Sequence, residues 1–306
     1  MILFTGLTGK SGRWLLRSLE ADLSAIQNQG IRALVRKESS LEILNRSRLN
    51  IEKIIGDTSN EEILKRAMDG VDVVFHIAGI HTSRSVTKVA IEKKVKWLIL
   101  VHTTGIYSKY KSAGEEYRNT EIIITNLLKD SSTKITILRP TMIYGSIGDN
   151  NMIVFIKMID KLRLFPIVSG GHFELQPIHE KDLGEAYFKV LKNSEKTMGK
   201  NYILSGKDPI MLLDIFKTIE RKLGKKNIYF NVPFPIAYFG AITLYVISLG
   251  KIDYRERVQR LVEPRIFPHN DAVLDFGFDP VSFNNGIENE IEEYRRQKNR
   301  PTTSST

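Results

Sequence analysis

The feature that most constrains this chain is a loop with three glycines close to its beginning. Four apolar residues, 1–4, lead into Gly6, Gly9 and Gly12, which follow the spacing G-x-x-G-x-x-G. A helical pattern of apolar residues begins near Ser11. Strand, glycine loop and helix in this order are typical of an anion site, because the first N–H groups of the helix are free. Taken alone, the triplet is equally compatible with a simple strand-to-helix turn.

Further apolar runs of strand length follow this loop, separated by segments long enough for helices. They lie at residues 31–35, 51–55, 71–77, 97–101 and 135–138. These runs are largely apolar and do not alternate strictly with polar residues, which predicts strands covered on both faces. Their alternation with helices predicts an α/β fold with a Rossmann-type, doubly wound parallel sheet. In such a sheet, the loop after the first strand lies where a dinucleotide binds.

Charged residues near this loop predict which dinucleotide is bound. The pyrophosphate is expected at the loop residues Gly6, Thr8, Gly9, Ser11 and Gly12. An acid at the end of the second strand would bond a ribose 2′-hydroxyl, whereas an arginine accommodates a 2′-phosphate. The chain has Arg36 and Lys37 there, and Lys10 and Arg13 flank the last glycine. We therefore predict NADP(H) in preference to NAD(H), although Arg36 and Lys37 also suit a solvated loop.

Composition limits the classes of protein and of partner. The 306 residues include no cysteine, which excludes disulfides, thiolate metal sites and cysteine nucleophiles. The net charge of +10 is spread among acids, which favours small anionic molecules over nucleic acid as partners. The histidines form no helical H-x-x-x-H pair, so we predict no metal site. Because the first strand begins at Met1, we expect no secretion signal and a cytoplasmic location.

An ordered set of motifs runs through nearly the whole chain. They lie at residues 56–57, 72–79, 102–107, 138–145, 176–182, 201–206 and 276–278. Together they resemble the extended and atypical short-chain dehydrogenase/reductases, and in particular the NAD(P)-dependent epimerase/dehydratase branch. The resemblance implies an oxidoreductase or isomerase that acts on a nucleotide-sugar or a related hydroxyl or carbonyl compound.

The same resemblance implies further residues of the cofactor site. Asp57 would meet the adenine, and Ala78 with Gly79 would pass beside the cofactor. The loop 140–145 would lie near the nicotinamide, through Pro140, Thr141 and Ile143. On physical grounds alone, Asp57 also suits the role of an acid at a helix N-terminus.

The catalytic pattern of that family is incomplete in this chain. The family uses a Ser or Thr that binds the substrate, and a Tyr whose pKa is lowered by a Lys four residues later. Thr103 fits the hydroxyl position. Tyr117 fits the tyrosine position, but the residue four further on is Glu121, whose charge would raise the Tyr117 pKa. His102, beside Thr103, suits a supporting role in the cleft.

Other assignments of the tyrosine are open. Tyr107 is followed four residues later by Lys111, but it matches a tyrosine of the family that is not catalytic. A helix one turn longer would place Ala113 at the tyrosine position. We rank Tyr117 ahead of Tyr107, with Lys109 or Lys111 as a replacement cation. If no residue completes the pair, the alternative is an NmrA-like NADP(H)-binding redox sensor or regulatory protein without catalysis.

The second half of the chain predicts a smaller C-terminal substrate domain. We interpret residues 1–149 as the cofactor domain, with returning segments near 176–206, residues 150–298 mainly as the substrate part, and 299–306 as a disordered tail. The predicted substrate edge is a helix over 150–164, a turn at 170–173 and residues 176–179. Arg163, Arg255 and Arg257 are available there for a nucleotide-sugar.

One apolar segment is not explained by the sheet. Residues 227–250 contain no charged side chain, and Pro233 and Pro235 leave about 15 residues for a helix about 22 Å long. That is too short to cross a hydrocarbon core of about 30 Å. We predict a helix buried against the domain or against a partner subunit in a homodimer. The alternatives are membrane insertion and contact of 235–250 with a membrane surface, which basic residues such as Arg260 favour.

Overall fold

The structure is a computed structural model that describes residues 1–26, 29–110, 112 and 114–299. The predicted disordered tail lies outside the described residues except for Asn299. The strands are β1 Ile2–Thr5, β2 Ile31–Val35, β3 Ile51–Ile55, β4 Val73–His76, β5 Trp97–Val101, β6 Lys134–Pro140, β7 Ile143–Tyr144, β8 Leu164–Val168, β9 Glu174–Leu175, β10 Ile178–His179, β11 Asn201–Leu204, β12 Ile210–Met211 and β13 Ile228–Val232.

The helices alternate with these strands in the first half of the chain and dominate the second half. They are α1 Lys10–Ala21, α2 Glu42–Asn45, α3 Glu61–Ala67, α4 Ser83–Glu92, α5 Gly114–Leu128, α6 Met152–Lys161, α7 Glu180–Lys192, α8 Ser194–Thr197, α9 Leu212–Leu223, α10 Phe234–Ile247, α11 Arg255–Leu261, α12 Asn270–Phe276 and α13 Phe283–Lys298.

The central sheet has seven parallel strands in the order β11-β6-β5-β4-β1-β2-β3. This confirms the predicted α/β fold with a doubly wound parallel sheet. The strand order reverses beside β1, so the carboxyl ends of β1 and β4 border the crevice where such sheets bind ligands. One expectation was wrong. Strand β3 is not covered on both faces, because it forms the edge of the sheet and exposes Glu52, Lys53 and Ile55.

Helices cover both faces of this sheet because successive side chains of a strand point to opposite sides. Phe4 packs in one cluster with Leu15 of α1 and Tyr187 of α7. Its neighbour Leu3 packs in a second cluster with Leu64 of α3 and the apolar residues of α4. The glycine loop is therefore held between a strand and a helix that are both fixed in the core.

The smaller second core consists of α6, α9 and α13 with the parallel pair β8 and β13. The helix predicted over 150–164 is shorter than expected, since α6 ends at Lys161 and Leu164 already begins β8. Asn227, which precedes β13, ends this helix by donating from its amide to the carbonyl oxygens of Ile159 and Leu162. A strand partner far along the chain thus sets this boundary.

The apolar segment forms helix α10, but the prediction that it is buried against the domain was wrong. Ala241 is the only residue of α10 that is fully buried. Side chains on its outer side are largely exposed, with Phe239 at 71% and Ile247 at 75%. No helix in the described part of the chain is long and apolar enough to span a membrane.

Candidate cofactor site and adjoining cavity

The glycine loop is packed too tightly for side chains at its glycines. A Cβ atom on Gly6 would lie 2.9 Å from the backbone nitrogen of Ala78, and Gly6 has a φ of +78°. A Cβ on Gly12 would lie 2.2 Å from the carbonyl oxygen of Gly6. The first turn of α1 has no acidic side chain, and Gly9 at its N-cap has no side chain that could accept a hydrogen bond from the helix. This leaves an uncapped helix N-terminus that suits an anion.

Open space lies beside Gly79, at the end of β4. This glycine has a φ of +110°, and, apart from its chain neighbours, no heavy atom of the described residues lies within 4 Å of a Cβ placed on it. Its carbonyl oxygen accepts a hydrogen bond from Nε2 of His76 at 2.9 Å, while Thr5 donates to Nδ1 at 2.7 Å. Burial lowers the pKa of His76 to about 4, so the ring is neutral. His76 therefore shapes the loop that borders this space.

Lys10 and Arg13, two of the cations named for NADP(H) binding, have partners elsewhere in the chain. Arg13 is paired with Glu180, which is 1% exposed, and Trp14 donates to the same carboxylate at 3.2 Å. Lys10 donates to the carbonyl oxygen of Gly148. A buried carboxylate requires a counter-ion, which explains the position of the Arg13 side chain. Both cations therefore have protein partners, and their role at a 2′-phosphate stays a prediction.

Arg36 remains exposed at the end of β2, close to Asp57. The pKa of Asp57 is lowered by hydrogen bonds from Ser59, including the backbone N–H at 2.8 Å, and further by the charge of Arg36. Asp57 does not cap α3, since Asn60 accepts from the first N–H groups of that helix. An acid and an arginine thus lie together beyond β2 and β3, where the resemblance placed the adenosine.

Thr103 and Tyr107 lie in the turn that follows β5. The hydroxyl oxygen of Thr103 accepts a hydrogen bond from the N–H of Gly105 at 3.0 Å. The half-exposed ring of Tyr107 packs against Phe267 with centroids 5.6 Å apart. Lys109 is exposed, and its backbone N–H donates to a carboxylate of the α11–α12 connection. Lys111 and Ala113, named in the sequence analysis, lie outside the described residues.

Tyr117 is buried in a small apolar cluster with Ile80 and Ile106. The His81 ring meets it edge-on, with centroids 5.4 Å apart. Its pKa is raised, as predicted, but mainly by burial and then by Glu116. The predicted cause, the charge of Glu121, is therefore incorrect.

Glu121 belongs to a buried network that the sequence analysis did not anticipate. It accepts hydrogen bonds from Arg139 at 3.0 and 2.6 Å and from Nδ1 of His102 at 2.9 Å. Burial alone would raise the Glu121 pKa, but these donors outweigh it and hold the pKa at about 2. The position expected to carry a lysine thus carries an ionised, fully bonded carboxylate. The signal in the sequence was Arg139, a charge at the end of a buried strand.

A cavity of about 1330 Å³ begins at the carboxyl ends of β5 and β6. Thr103, Tyr107, Thr141 and Ile143 lie on its wall, whereas Tyr117 is not among the described residues that line it. The rest of the wall is mainly apolar and comes from α6, β8, α9, α10 and α11, including Val154, Phe155, Met158, Phe165, Leu212, Phe216, Leu244 and Leu261.

Polar residues occupy a smaller part of the cavity wall. Arg257, Arg260 and Arg265 line it. Burial lowers the pKa of Arg265 to about 10, so it stays charged at neutral pH, and no acceptor among the described residues bonds its Nε. Of the other arginines named earlier, Arg163 is exposed and Arg255 pairs with an aspartate two residues away.

The predicted substrate edge is partly on this wall. Residues of α6 and Gln176 line the cavity, but the turn at 170–173 is absent from its lining within the described ranges. Thr141 donates its hydroxyl to the carbonyl oxygen of Gln176, which fixes the loop after β6. Pro140 ends β6 directly before this loop.

Comparisons with known proteins agree with this architecture. A model of the NmrA-like family matches residues 1–252. A ketoreductase from Stigmatella aurantiaca, which acts on 4-hydroxy-2-methyl-3-oxo-4-farnesyl-3,4-dihydroquinoline-1-oxide, is 25% identical over 270 residues, which cover 76% of this chain and 77% of the relative.

Solved structures of nucleotide-sugar enzymes share the fold. The UDP-glucose 4-epimerase of Thermotoga maritima, determined with UDP-glucose, has a TM-score of 0.70 at 19% identity and covers 97% of this chain and 99% of its own. The dTDP-glucose 4,6-dehydratase DesIV of Streptomyces venezuelae, determined with NAD, has a TM-score of 0.73 at 15% identity and covers 97% of each chain.

Proposed function

The chain belongs to the NmrA-like family, and we propose that it is an NAD(P)H-dependent oxidoreductase that reduces a carbonyl group on a largely apolar small molecule. The observation that carries this proposal is the position of the apolar cavity. It begins at the carboxyl ends of β5 and β6, at the same edge of the sheet as the glycine loop after β1. The relative from Stigmatella aurantiaca is a ketoreductase, which supports reduction of a carbonyl group as the proposed reaction.

The residues at the sheet edge fit a nicotinamide dinucleotide. The glycine loop and the N-terminus of α1 would hold the pyrophosphate, and Asp57 with Arg36 would hold the adenosine end. Ala78 and Gly79 border the open space beside β4, and Thr141 with Ile143 borders the cavity. The bound cofactor would supply the hydride. We propose NADPH over NADH because Arg36 is exposed at the end of β2.

Thr103 and Tyr107 are the proposed hydrogen-bond donors to the substrate oxygen. Thr103 already accepts a hydrogen bond from Gly105, so its own hydrogen can point to a carbonyl oxygen in the cavity. The hydroxyl of Tyr107 is the proposed proton source. Reduction requires a donor at the substrate oxygen, whereas oxidation requires a base. Both hydroxyl groups can supply the donor that reduction requires.

The lining favours an apolar substrate over the nucleotide-sugar that the resemblance implied. Transfer of a sugar and two phosphates into an apolar pocket would leave many polar groups without partners. One observation favours a nucleotide-sugar instead. The cavity wall contains Arg257, Arg260 and Arg265, and guanidinium groups bind phosphates well. A nucleotide-sugar reaction is therefore the second candidate for this cavity.

A redox sensor without catalysis is the alternative that the Glu121 network favours. In that case the site would bind NADP(H), and the residue four after Tyr117 is a carboxylate instead of the lysine that would lower the tyrosine pKa. The two proposals differ in one observable property, which is turnover.

The test is oxidation of NADPH by the purified protein with a panel of carbonyl compounds. The panel contains long-chain alkyl ketones, a prenylated quinone, a UDP-linked 4-keto sugar and a water-soluble aryl ketone. We expect turnover with apolar ketones, and a decrease of kcat of roughly a hundredfold in Tyr107→Phe. Tyr117→Phe is the matched control and should retain kcat. Tight binding of NADPH without turnover of any carbonyl would favour the sensor, and loss of activity in Tyr117→Phe alone would move the proton donor to Tyr117.

A further inference from the structure

The outer side of α10 is an exposed apolar surface that the proposed reaction leaves unexplained. The helix has no charged side chain, and its exposed residues form a patch that continues past its end. The patch consists of Ile236 at 63%, Phe239 at 71%, Val246 at 62%, Ile247 at 75% and Leu249 at 88% exposure. Single exposed apolar residues are common on proteins, but a contiguous group of this size marks an interaction surface.

The inner side of the same helix is a wall of the cavity. Ala237, Gly240, Ala241 and Leu244 line it. Three of these four residues are small, so the wall between the cavity and the outside consists of little more than the helix backbone. The exposed patch and the cavity are therefore two sides of one element.

Basic and aromatic residues accompany the patch. The guanidinium of Arg255 lies 3.8 Å from the centre of the Tyr245 ring, which joins α11 to α10. Lys251 and Arg257 are exposed and have no carboxylate partner among the described residues. Tyrosines and cations beside an apolar surface are typical of segments that lie at the interface of an anionic membrane.

We propose that α10 docks this protein on the surface of an anionic lipid bilayer, with the cavity behind the helix facing the membrane. With 14 residues the helix is about 21 Å long, which suits a position in the interface plane but not a crossing. Docking itself does not depend on the proposed reduction. The route of the substrate does depend on it: if the proposed function holds, the apolar carbonyl substrate enters the cavity from the bilayer.

A second copy of the chain is the competing occupant of the patch. The charges favour the bilayer, since Lys251 and Arg257, which have no carboxylate partner in the described ranges, lie beside the patch and the chain carries a net charge of +10. Anionic headgroups complement these cations, whereas a second copy would bring cations of the same sign to the contact.

The test is flotation of the full-length protein with lipid vesicles, together with its mass in solution by light scattering. Vesicles of phosphatidylcholine with phosphatidylglycerol are compared with vesicles of phosphatidylcholine alone. We expect the parent protein to float with the anionic vesicles and less with the neutral ones. Phe239→Ser with Ile247→Ser should weaken partitioning by roughly tenfold or more. Leu274→Ser is the matched control, because Leu274 is 78% exposed on α12, and it should leave partitioning unchanged.

The outcomes separate the possibilities. The docking proposal fails if the parent protein stays out of both vesicle fractions, or if the α10 double variant floats as well as the Leu274→Ser control. It also fails if the parent is a dimer that the double variant converts to a monomer without any vesicle binding. Turnover of a water-soluble ketone is measured on the same samples, so loss of turnover with intact flotation counts against the proposed reaction alone.

Discussion

The loop after β1 and the turn after β5 lie at the same edge of the sheet, but they are held in place by different means. Backbone contacts fix the glycine loop, since a Cβ on Gly12 would lie 2.2 Å from the oxygen of Gly6. Side chains fix the turn after β5, where the Thr104 hydroxyl donates to the carbonyl oxygen of Pro140 at 3.2 Å. A site built from backbone depends on local spacing, whereas a site built from side chains depends on segments that are distant in sequence.

The same difference explains why the two halves of the site follow the resemblance unequally. The glycine loop has the arrangement expected for a dinucleotide. Beyond β5, the position expected to carry a lysine carries Glu121, which is bonded to Arg139 and His102. The three substitutions below test this difference, beginning with the largest expected effect.

Gly12→Ala should have the largest effect, because the added methyl group would collide with backbone and not with a movable side chain. We expect a cost of about 3 kcal/mol in the free energy of unfolding and loss of NADPH binding. Thermal unfolding and NADPH fluorescence titration measure the two quantities. Gly240→Ala is the control, because that helical glycine has open space around its Cβ position and the change should be neutral or stabilising. Unchanged binding in Gly12→Ala would show that the loop is not built from backbone contacts as we describe.

Glu121→Gln tests the side-chain network beyond β5. Removing one charge leaves Arg139 without its partner in a buried place, so we expect a loss of about 3 kcal/mol at neutral pH. Urea unfolding measures it. Glu116→Gln on the same helix is the control, because Glu116 is 61% exposed and pairs only at the surface. Equal stability of the two variants would contradict a structural role for the network.

The stabilisation that Glu121 provides should depend on pH, and its pKa gives the sign of that dependence. Glu121 has a folded-state pKa of about 2, below its ordinary value, because His102 and Arg139 donate to it. Its contribution to stability is therefore present above the unfolded-state pKa and lost as the pH falls from about 4.5 toward 2. The difference in the free energy of unfolding between the parent protein and Glu121→Gln should shrink over that interval.

Arg36→Ala should have the smallest effect, because Arg36 is exposed and does not contribute to the core. We expect affinity for NADPH to fall by roughly tenfold, while affinity for NADH stays the same in the same variant. Calorimetry with both cofactors measures this. If the parent protein binds the two equally and the variant does not differ, Arg36 does not bind a 2′-phosphate.

The sequence predicted the parallel sheet well because its signals are local. The apolar runs at 31–35, 51–55 and 97–101 coincide with β2, β3 and β5. Errors arose at Leu164, which was included in a helix but begins β8, and at α10, for which burial against the domain was expected. In both cases the outcome depends on a neighbour that local patterns do not reveal.

The sequence by itself determined the glycine loop and the sheet around it, because both follow from residue spacing and backbone geometry within short segments. Only the tertiary structure decided the partners of the charged residues. Arg13 pairs with a glutamate 167 residues away, and Arg139 pairs with Glu121, 18 residues earlier. Buried charges require partners, but the sequence does not state which ones the fold brings within reach. The tertiary structure also decided the exposure of α10. Its inner side lies against the cavity, and its outer side is left uncovered by the described residues.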